Sequence, residues 1–368
     1  MKNQMKKKSG LNSLSFLAVI LILGLNSGCQ KNDVLSPVDN TSIDPKLMNS
    51  NYAVVSLVGD NTGYDPAFID PSLVNAWGLA FDEGEIWVSS TEDGSSGVYD
   101  ANGNTIMPHV TIPGLGGMTG SPTGVVYNST GKFIIPATGE KSEFIFCTED
   151  GTIAAWASGG SAITVANRSA FGTVYKGITI SRKEGIALIY ATDFHNGRVD
   201  VYDQNFEYQE GFSFIDPDMA AGFAPFNIRY IDGLLYVTYA KQLAPENIDD
   251  EAGPGNGYIN LFELNGTFGK RFASNGSLNS PWGIQQTDGN GLGAILVGNF
   301  GDGRISVFAK NGAFKSFLQS DGMPIEIEGL WALVMPEDNI LGVPHNRIYF
   351  TAGPDDEEHG LFGYLDPQ

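Results

Sequence analysis

The sequence predicts an all-β chain folded as a single six-bladed β-propeller with four-stranded blades. Three observations carry this expectation. Short apolar runs bounded by Gly, Asn and Asp recur throughout, and strongly helical windows are absent. One hairpin is copied along the chain, most clearly at residues 190–203 (YATDFHNGRVDVYD), where an apolar strand end meets a turn around Asn196 and Gly197 and then an alternating strand. Looser copies lie at 89–103, 144–156, 297–312 and 349–365. Finally, six such units fill residues 51–368 at about 53 residues each, the size of a propeller blade with its loops.

The chain opens with Lys2, Lys6, Lys7 and Lys8, followed by an apolar run at 14–25 (LSFLAVILILGL) that is too short to span a bilayer. Asn26, Ser27 and Gly28 precede Cys29. Small residues just before a cysteine resemble a bacterial lipobox. That resemblance implies a lipoprotein-type signal peptide at 1–28, lipidation of Cys29, and contact with the membrane through that N-terminus alone. The pattern departs from the usual one because Asn26 stands three positions before the cysteine; the competing reading is an ordinary secretory leader cut near Gly28. Residues 29–50 are polar, carry Pro37 and Pro45, and read as a flexible tether. The expected location is therefore exported, lipid-anchored in a bacterial cell envelope, on its periplasmic side or at the cell surface.

The repeats follow in order. Their opening residues are Trp77, Thr123, Lys176, Asn227, Trp282 and Glu328, and most precede a Gly or small apolar residue and a strand. Each unit then supplies a second and third strand, such as IWVSS and GVYDANG in the first or AILVGNF and GRISVFAKNG in the fifth. Outer fourth strands are expected at places such as 105–112 and 268–273. The sixth unit lacks one because the sequence stops at Gln368, and the spare strand at 52–58 (YAVVSLV) is expected to fill its place and close the ring.

The blade pattern of 190–203 resembles the NHL-type propeller repeat. The strings APFNIRYIDGLLYVTYAKQ, TDFHNGRVDVYD, LVGNFGDGRISVF and YFTAGPDDEEHGLFGYL together resemble an uncharacterised family of exported bacterial six-bladed propeller proteins. The resemblance spans nearly all of 52–365 and implies fold and export. It brings no activity.

Composition narrows the function classes. The formal net charge is −21, which opposes binding to nucleic acid. There is no G-x-S-x-G elbow, H-E-x-x-H pair, phosphate loop, dinucleotide fingerprint or EF-hand loop. The four histidines, His109, His195, His345 and His359, are scattered. Cys147, in the apolar run FIFC, reads as a small buried hydrophobe.

Inner strands line a propeller's axis, so the six opening residues become channel-lining and ligand candidates. Six-fold phase places Lys176 opposite Glu328, Trp77 opposite Asn227 and Thr123 opposite Trp282. Asn227 and Glu328 look similar to Ca²⁺ ligands of lactonase-type propellers, which makes Ca²⁺ a candidate cofactor. Lys176 argues against it, because an ammonium neutralises Glu328 and repels a dication. The other reading is a channel plugged by a Lys–Glu pair between indoles.

A rim of turn residues adds Asp193, His195, Asn196, Lys241, Asn299, Asp302 and His359. Asp193, His195 and His359 are candidates for acid–base chemistry or metal binding, against the reading that they serve only as turn residues. The acidic insertion between Lys241 and Gly257 is long enough to cover one mouth of the channel. The reading that follows is a monomeric, envelope-tethered binding module for a protein, peptide or glycan. The alternative is a Ca²⁺-dependent hydrolase of lactonase type, and a scaffold is a third reading.

Overall fold

The computed structural model describes Ile43 and residues 51–183, 185, 187–287, 293–337 and 340–368. The expected leader, Cys29 and the tether lie outside the described residues, apart from Ile43. That side chain is buried with Tyr52 and Leu318 in a shared apolar cluster.

Six inner strands form a closed ring, each packing beside the next and the last beside the first. Blade one comprises Ala76–Asp82, Glu85–Ser90, Ser95–Tyr99 and Thr105–Thr111. Blade two comprises Pro122–Tyr127, Phe144–Thr148, Thr152–Trp156 and Ile163–Asn167. Blade four comprises Phe223–Ile231, Leu234–Lys241, Gly257–Phe262 and Phe268–Ser274. Blade five comprises Pro281–Gln286, Ala294–Asn299, Ile305–Ala309 and Phe314–Phe317. Turn chemistry fixes the hairpins. Glu83 and Gly84 (φ 34° and 91°) and Asp232 and Gly233 (φ 48° and 87°) both take the left-handed pair that a two-residue hairpin requires.

Blade three has three strands, Tyr175–Ile180, Ile189–Asp193 and Arg198–Tyr202. The following segment turns at Phe206 (φ 63°) and meets the third strand only at a Tyr202–Tyr208 bridge. Beside it, the fully buried Asp200 accepts from the Tyr175 hydroxyl at 2.8 Å and pairs with Arg168 at 3.0 Å and Arg198 at 2.9 Å. Blade six holds Leu330–Val334, Ile348–Ala352 and Leu361–Pro367, and Tyr52–Gly59 joins it antiparallel, from Tyr52 opposite Pro367 to Gly59 opposite Leu361. The ring therefore closes with the N-terminal strand, as the sequence predicted. Phe68–Ile69 adds a short parallel edge.

Apolar faces of neighbouring blades supply the core. Trp87 of blade one stacks on Phe144 of blade two at 4.2 Å, with Val98 and Phe146 in the same cluster. Near the axis the inner strands approach so closely that side chains must be absent. A Cβ on Gly78 would run into the Thr123 carbonyl, and one on Gly177 into Asn227. This is why an opening residue followed by glycine recurs in the sequence.

Candidate functional site

Register defines which residue of each inner strand reaches the axis. Irregular pairing occurs at Ala76/Leu79, Pro122/Val125, Tyr175/Gly177, Pro225/Asn227, Pro281/Ile284 and Leu330/Leu333. The main-chain N–H of Gly177, Asn227 and Ala332 each accepts the same role, donating to Thr192, Thr238 and Thr351 of the adjacent strand. The equivalent axial positions are therefore Trp77, Thr123, Lys176, Phe226, Trp282 and Trp331. Two expectations are corrected. Asn227 occupies the position where the other blades carry Gly or Ala, one residue past the plug position, so it lines the axial cavity but is not part of the plug. Glu328 precedes its strand by two residues and is exposed on the rim. Gly329 resembles the inner glycines in sequence, but it is a turn glycine (φ 64°) before the strand, and their counterpart is Ala332.

The axial side chains form a plug. Trp77 stacks on Trp331 at 3.8 Å and 21°, Trp282 lies 6.3 Å from Trp77 and 6.0 Å from Trp331, and Phe300 stacks on the other face of Trp331 at 3.9 Å. Phe226 meets the Trp331 edge at 5.8 Å. Thr123 is fully buried, its hydroxyl donating to the Tyr175 carbonyl at 2.9 Å and lying 3.3 Å from the Cys147 sulfur. Burial pushes the Cys147 thiol up to about 12, so it is an inert hydrophobe.

Lys176 stands above the plug. Its Nζ lies 5.0 Å from the Trp77 ring centroid, pairs with Glu149 and reaches Asp249 at 3.5 Å. Its partner is thus Glu149 rather than Glu328, which only accepts the Asp355 N–H at 3.3 Å. Burial would lower the Lys176 ammonium, but Glu149, Asp249 and Glu357 outweigh it and raise its pKa. Glu357 follows two other left-handed residues, Asp355 and Asp356, and accepts from Asn75 at 2.6 Å. Asp249 comes from the long insertion, which also holds its own Lys241–Glu251 pair at 2.7 Å. The insertion does contribute to covering this mouth.

Below the plug a cavity of about 300 Å³ follows the axis, walled by all six inner strands. Leu79, Phe81, Ile178, Ile228 and Leu333 give it apolar surface, and Arg182, Arg229 and Glu337 line it as well. It is blind at the indole end, where Trp282 lines it.

The rim residues act locally. The fully buried Asp193 accepts from Thr173 at 3.1 Å and from the Asn196 side chain at 2.8 Å, and pairs with Arg198 at 3.0 Å. Asn299 donates to the Ser277 carbonyl at 2.8 Å, and Asp302 accepts the Arg304 N–H at 3.1 Å. His195 bonds the Glu246 carbonyl at 3.0 Å, whereas His359 bonds Asp60 at 2.7 Å, which raises its pKa. The two histidines therefore have separate partners, and Asp193 is a loop organiser.

Sequence reasoning missed one constellation. His109 sits between Asp70 (Nε2 to Oδ2, 2.8 Å) and Ser95 (Nδ1 to Oγ, 2.8 Å), which resembles a nucleophile–base–acid arrangement. The Ser95 hydroxyl, however, donates to Asp93 at 2.6 Å, so the histidine is not positioned to take its proton, and Ser95 is buried. No local motif joins residues 70, 93, 95 and 109. The pairing of the third and outer strands brings Ser95 near His109, and the side chains of His109 and Tyr99 reach Asp70.

No model of a known protein family matches the chain. Two curated relatives from Acanthamoeba polyphaga mimivirus do. Uncharacterized protein R648 is 32% identical over 340 residues, covering 87% of this chain and 82% of the relative. Uncharacterized protein L690 is 32% identical over 362 residues, covering 93% and 91%. The chain belongs to their family. These members of the R648/L690 family are viral, whereas the sequence resemblance pointed to bacterial exported proteins. Among solved structures, a streptogramin B lyase covers 88% of the chain at a TM-score of 0.52 and 12% identity, with all of that lyase covered. A calcium-binding protein, regucalcin from Agrobacterium tumefaciens, covers 80% of this chain and 90% of its own at 0.51 and 12%. XC5397, a gluconolactonase from Xanthomonas campestris, covers 81% and 87% at 0.50 and 15%. At these identities the likeness is one of fold.

The regucalcin-like architecture invites a test of the Ca²⁺ ligands in this R648/L690-family chain. The buried Asn227 amide has both ends engaged: Nδ2 donates to the Trp282 carbonyl and Oδ1 accepts the Ile228 N–H, each at 2.8 Å. Glu328 lies before its strand, beyond the turn at Gly329, and is exposed on the rim. Between them stand indoles and an ammonium. These residues do not make one oxygen donor set for Ca²⁺.

Proposed function

We propose that the protein is a non-catalytic binding propeller, lipid-tethered at Cys29 in a cell envelope, that takes the end group of a peptide, protein or glycan into its lower axial cavity. One observation carries this reading: the channel is sealed part-way by stacked indoles, so what is left below them is a blind pocket rather than a pore. A volume of about 300 Å³ suits a small ligand or a terminal unit of a larger one. The leader and tether support the envelope setting, and the mixed apolar and polar wall supports recognition. The upper mouth is less suited to a ligand, because Lys176 is already matched by Glu149 and Asp249.

A thermal-shift and calorimetric screen of peptides and oligosaccharides tests the proposal, using wild type and Val126→Trp. Val126 lines the cavity, and the larger ring fills it. Ligands found with wild type should lose binding in the variant. Ligands that bind both forms equally would move the site to the rim and sink this reading.

A further inference from the structure

The lower cavity holds a guanidinium with no ion-pair partner among the described residues. Arg229 lies on the inner strand of blade four and lines the cavity. It donates to the Gln285 side chain at 3.0 Å, and among the described residues no carboxylate pairs with it. The other charges at this mouth are matched. Arg182 pairs with Glu337, and Asp232 pairs with Lys310 at 3.4 Å. Burial, with repulsion from Arg182 added to it, pushes the Arg229 guanidinium down to about 10, which leaves it charged at neutral pH.

This is unusual placement for a chain of net charge −21. Acids are abundant, and Asp232 and Glu337 share this wall, yet among the described residues each pairs with another cation and none with Arg229. A part-buried cation without a counter-charge is unfavourable, and an anion seated beside it relieves both the desolvation and the repulsion from Arg182. Arginine offers five N–H donors in a planar fork that matches a carboxylate through two parallel bonds. The rest of the wall is mixed, and Phe81, Ile228, Ile284 and Leu333 give it an apolar stretch along the inner strands.

We propose that Arg229 is a specificity-determining residue: the lower cavity binds a carboxylate attached to an apolar body, with the carboxylate on Arg229 and the body along the inner strands. The proposal rests on the binding reading given above and names its ligand chemistry. A small aryl or alkyl carboxylic acid and a peptide ending in a free apolar residue share that chemistry.

Calorimetry on the full propeller separates these cases. The probes are phenylacetate, its neutral amide phenylacetamide, inorganic phosphate, and a tripeptide ending in Phe with a free or amidated C-terminus. Phenylacetate should bind at least tenfold more tightly than phenylacetamide, and Arg229→Gln should remove that preference. Arg229→Lys keeps charge without the fork and should restore part of it. Preference for the free-acid tripeptide over phenylacetate identifies a peptide C-terminus as the source, and the reverse a small acid. Phosphate binding as tightly as phenylacetate would overturn the apolar part of the proposal. Equal binding of acid and amide in wild type would overturn the role of Arg229 while leaving a neutral ligand pocket. Absence of binding by every probe would overturn the carboxylate assignment, and the broader binding reading would then stand or fall on the peptide and glycan screen. The acid–amide comparison uses wild type, so it holds even if a variant fails to fold.

Discussion

Trp77 and Trp331, from the first and last blades, stack at 3.8 Å and 21° and so seal the axis at the seam where the ring closes. They are not equivalent. The Trp331 Nε1 donates to Asn75 at 3.0 Å, whereas the Trp77 Nε1 is buried with no acceptor among the described residues. Trp331→Phe strands the Asn75 oxygen, while Trp77→Phe removes an unsatisfied donor. Trp331→Phe should therefore cost about 1–3 kcal/mol more than Trp77→Phe in urea unfolding. Equal losses would show that ring area alone decides the plug.

Glu357 gives the fold a pH dependence of known sign. Burial is the leading cause that raises its pKa from 4.5 to about 7, with Glu149 and Asp250 adding to it against Lys176 and Asn75. The folded chain thus keeps a proton that the unfolded chain releases across that window. Stability from this group is full below 4.5 and is lost as pH rises through about 7. Glu357→Gln should gain on wild type by an amount on the order of 1–3 kcal/mol between about pH 5 and pH 8. Parallel urea midpoints for the two proteins over that range would contradict the assignment.

Ring closure depends on Tyr52–Gly59. Val58 is fully buried against the first and sixth blades and pairs with Phe362. Val58→Ala should cost about 1–3 kcal/mol, from the lost methyl groups and the space left behind. A loss below a few tenths of a kcal/mol would mean that the ring does not need this strand clamped.

The lipid tether is tested by cell fractionation. Cys29→Ser should move the protein from the membrane pellet to the soluble fraction. An unchanged pellet fraction would remove lipidation from the account. The same variant should bind the propeller's ligands as wild type does, because the cavity lies within the described blades.

Much of the architecture was legible because strand periodicity and turn chemistry are local. The turn read at Asn196 and Gly197 (φ 66° at Gly197) does join Ile189–Asp193 to Arg198–Tyr202, and the spare strand at 52–58 had one unpaired edge to fill. The outer strand of blade three was not legible, since whether residues after Asp203 pair depends on a side-chain cluster around Asp200 that local patterning does not reveal. At the rim the sequence left site and turn roles open, and the structure shows Asp193, Asn196 and Asp302 bonding within their own loops.

The sequence by itself determined six repeats and the closing strand, and it placed Trp77, Thr123, Lys176 and Trp282 at the axis while leaving open whether the axis is plugged. It did so because each rests on spacing along the chain. Which residues share the plug was decided only by the tertiary structure, where a shift of one residue in blade four and of three in blade six replaces Asn227 by Phe226 and Glu328 by Trp331. The irregular pairing that sets this phase lies where neighbouring inner strands come into close contact. The same contact brings Arg229 of the fourth blade beside Arg182 of the third, a juxtaposition that no spacing in the sequence encodes.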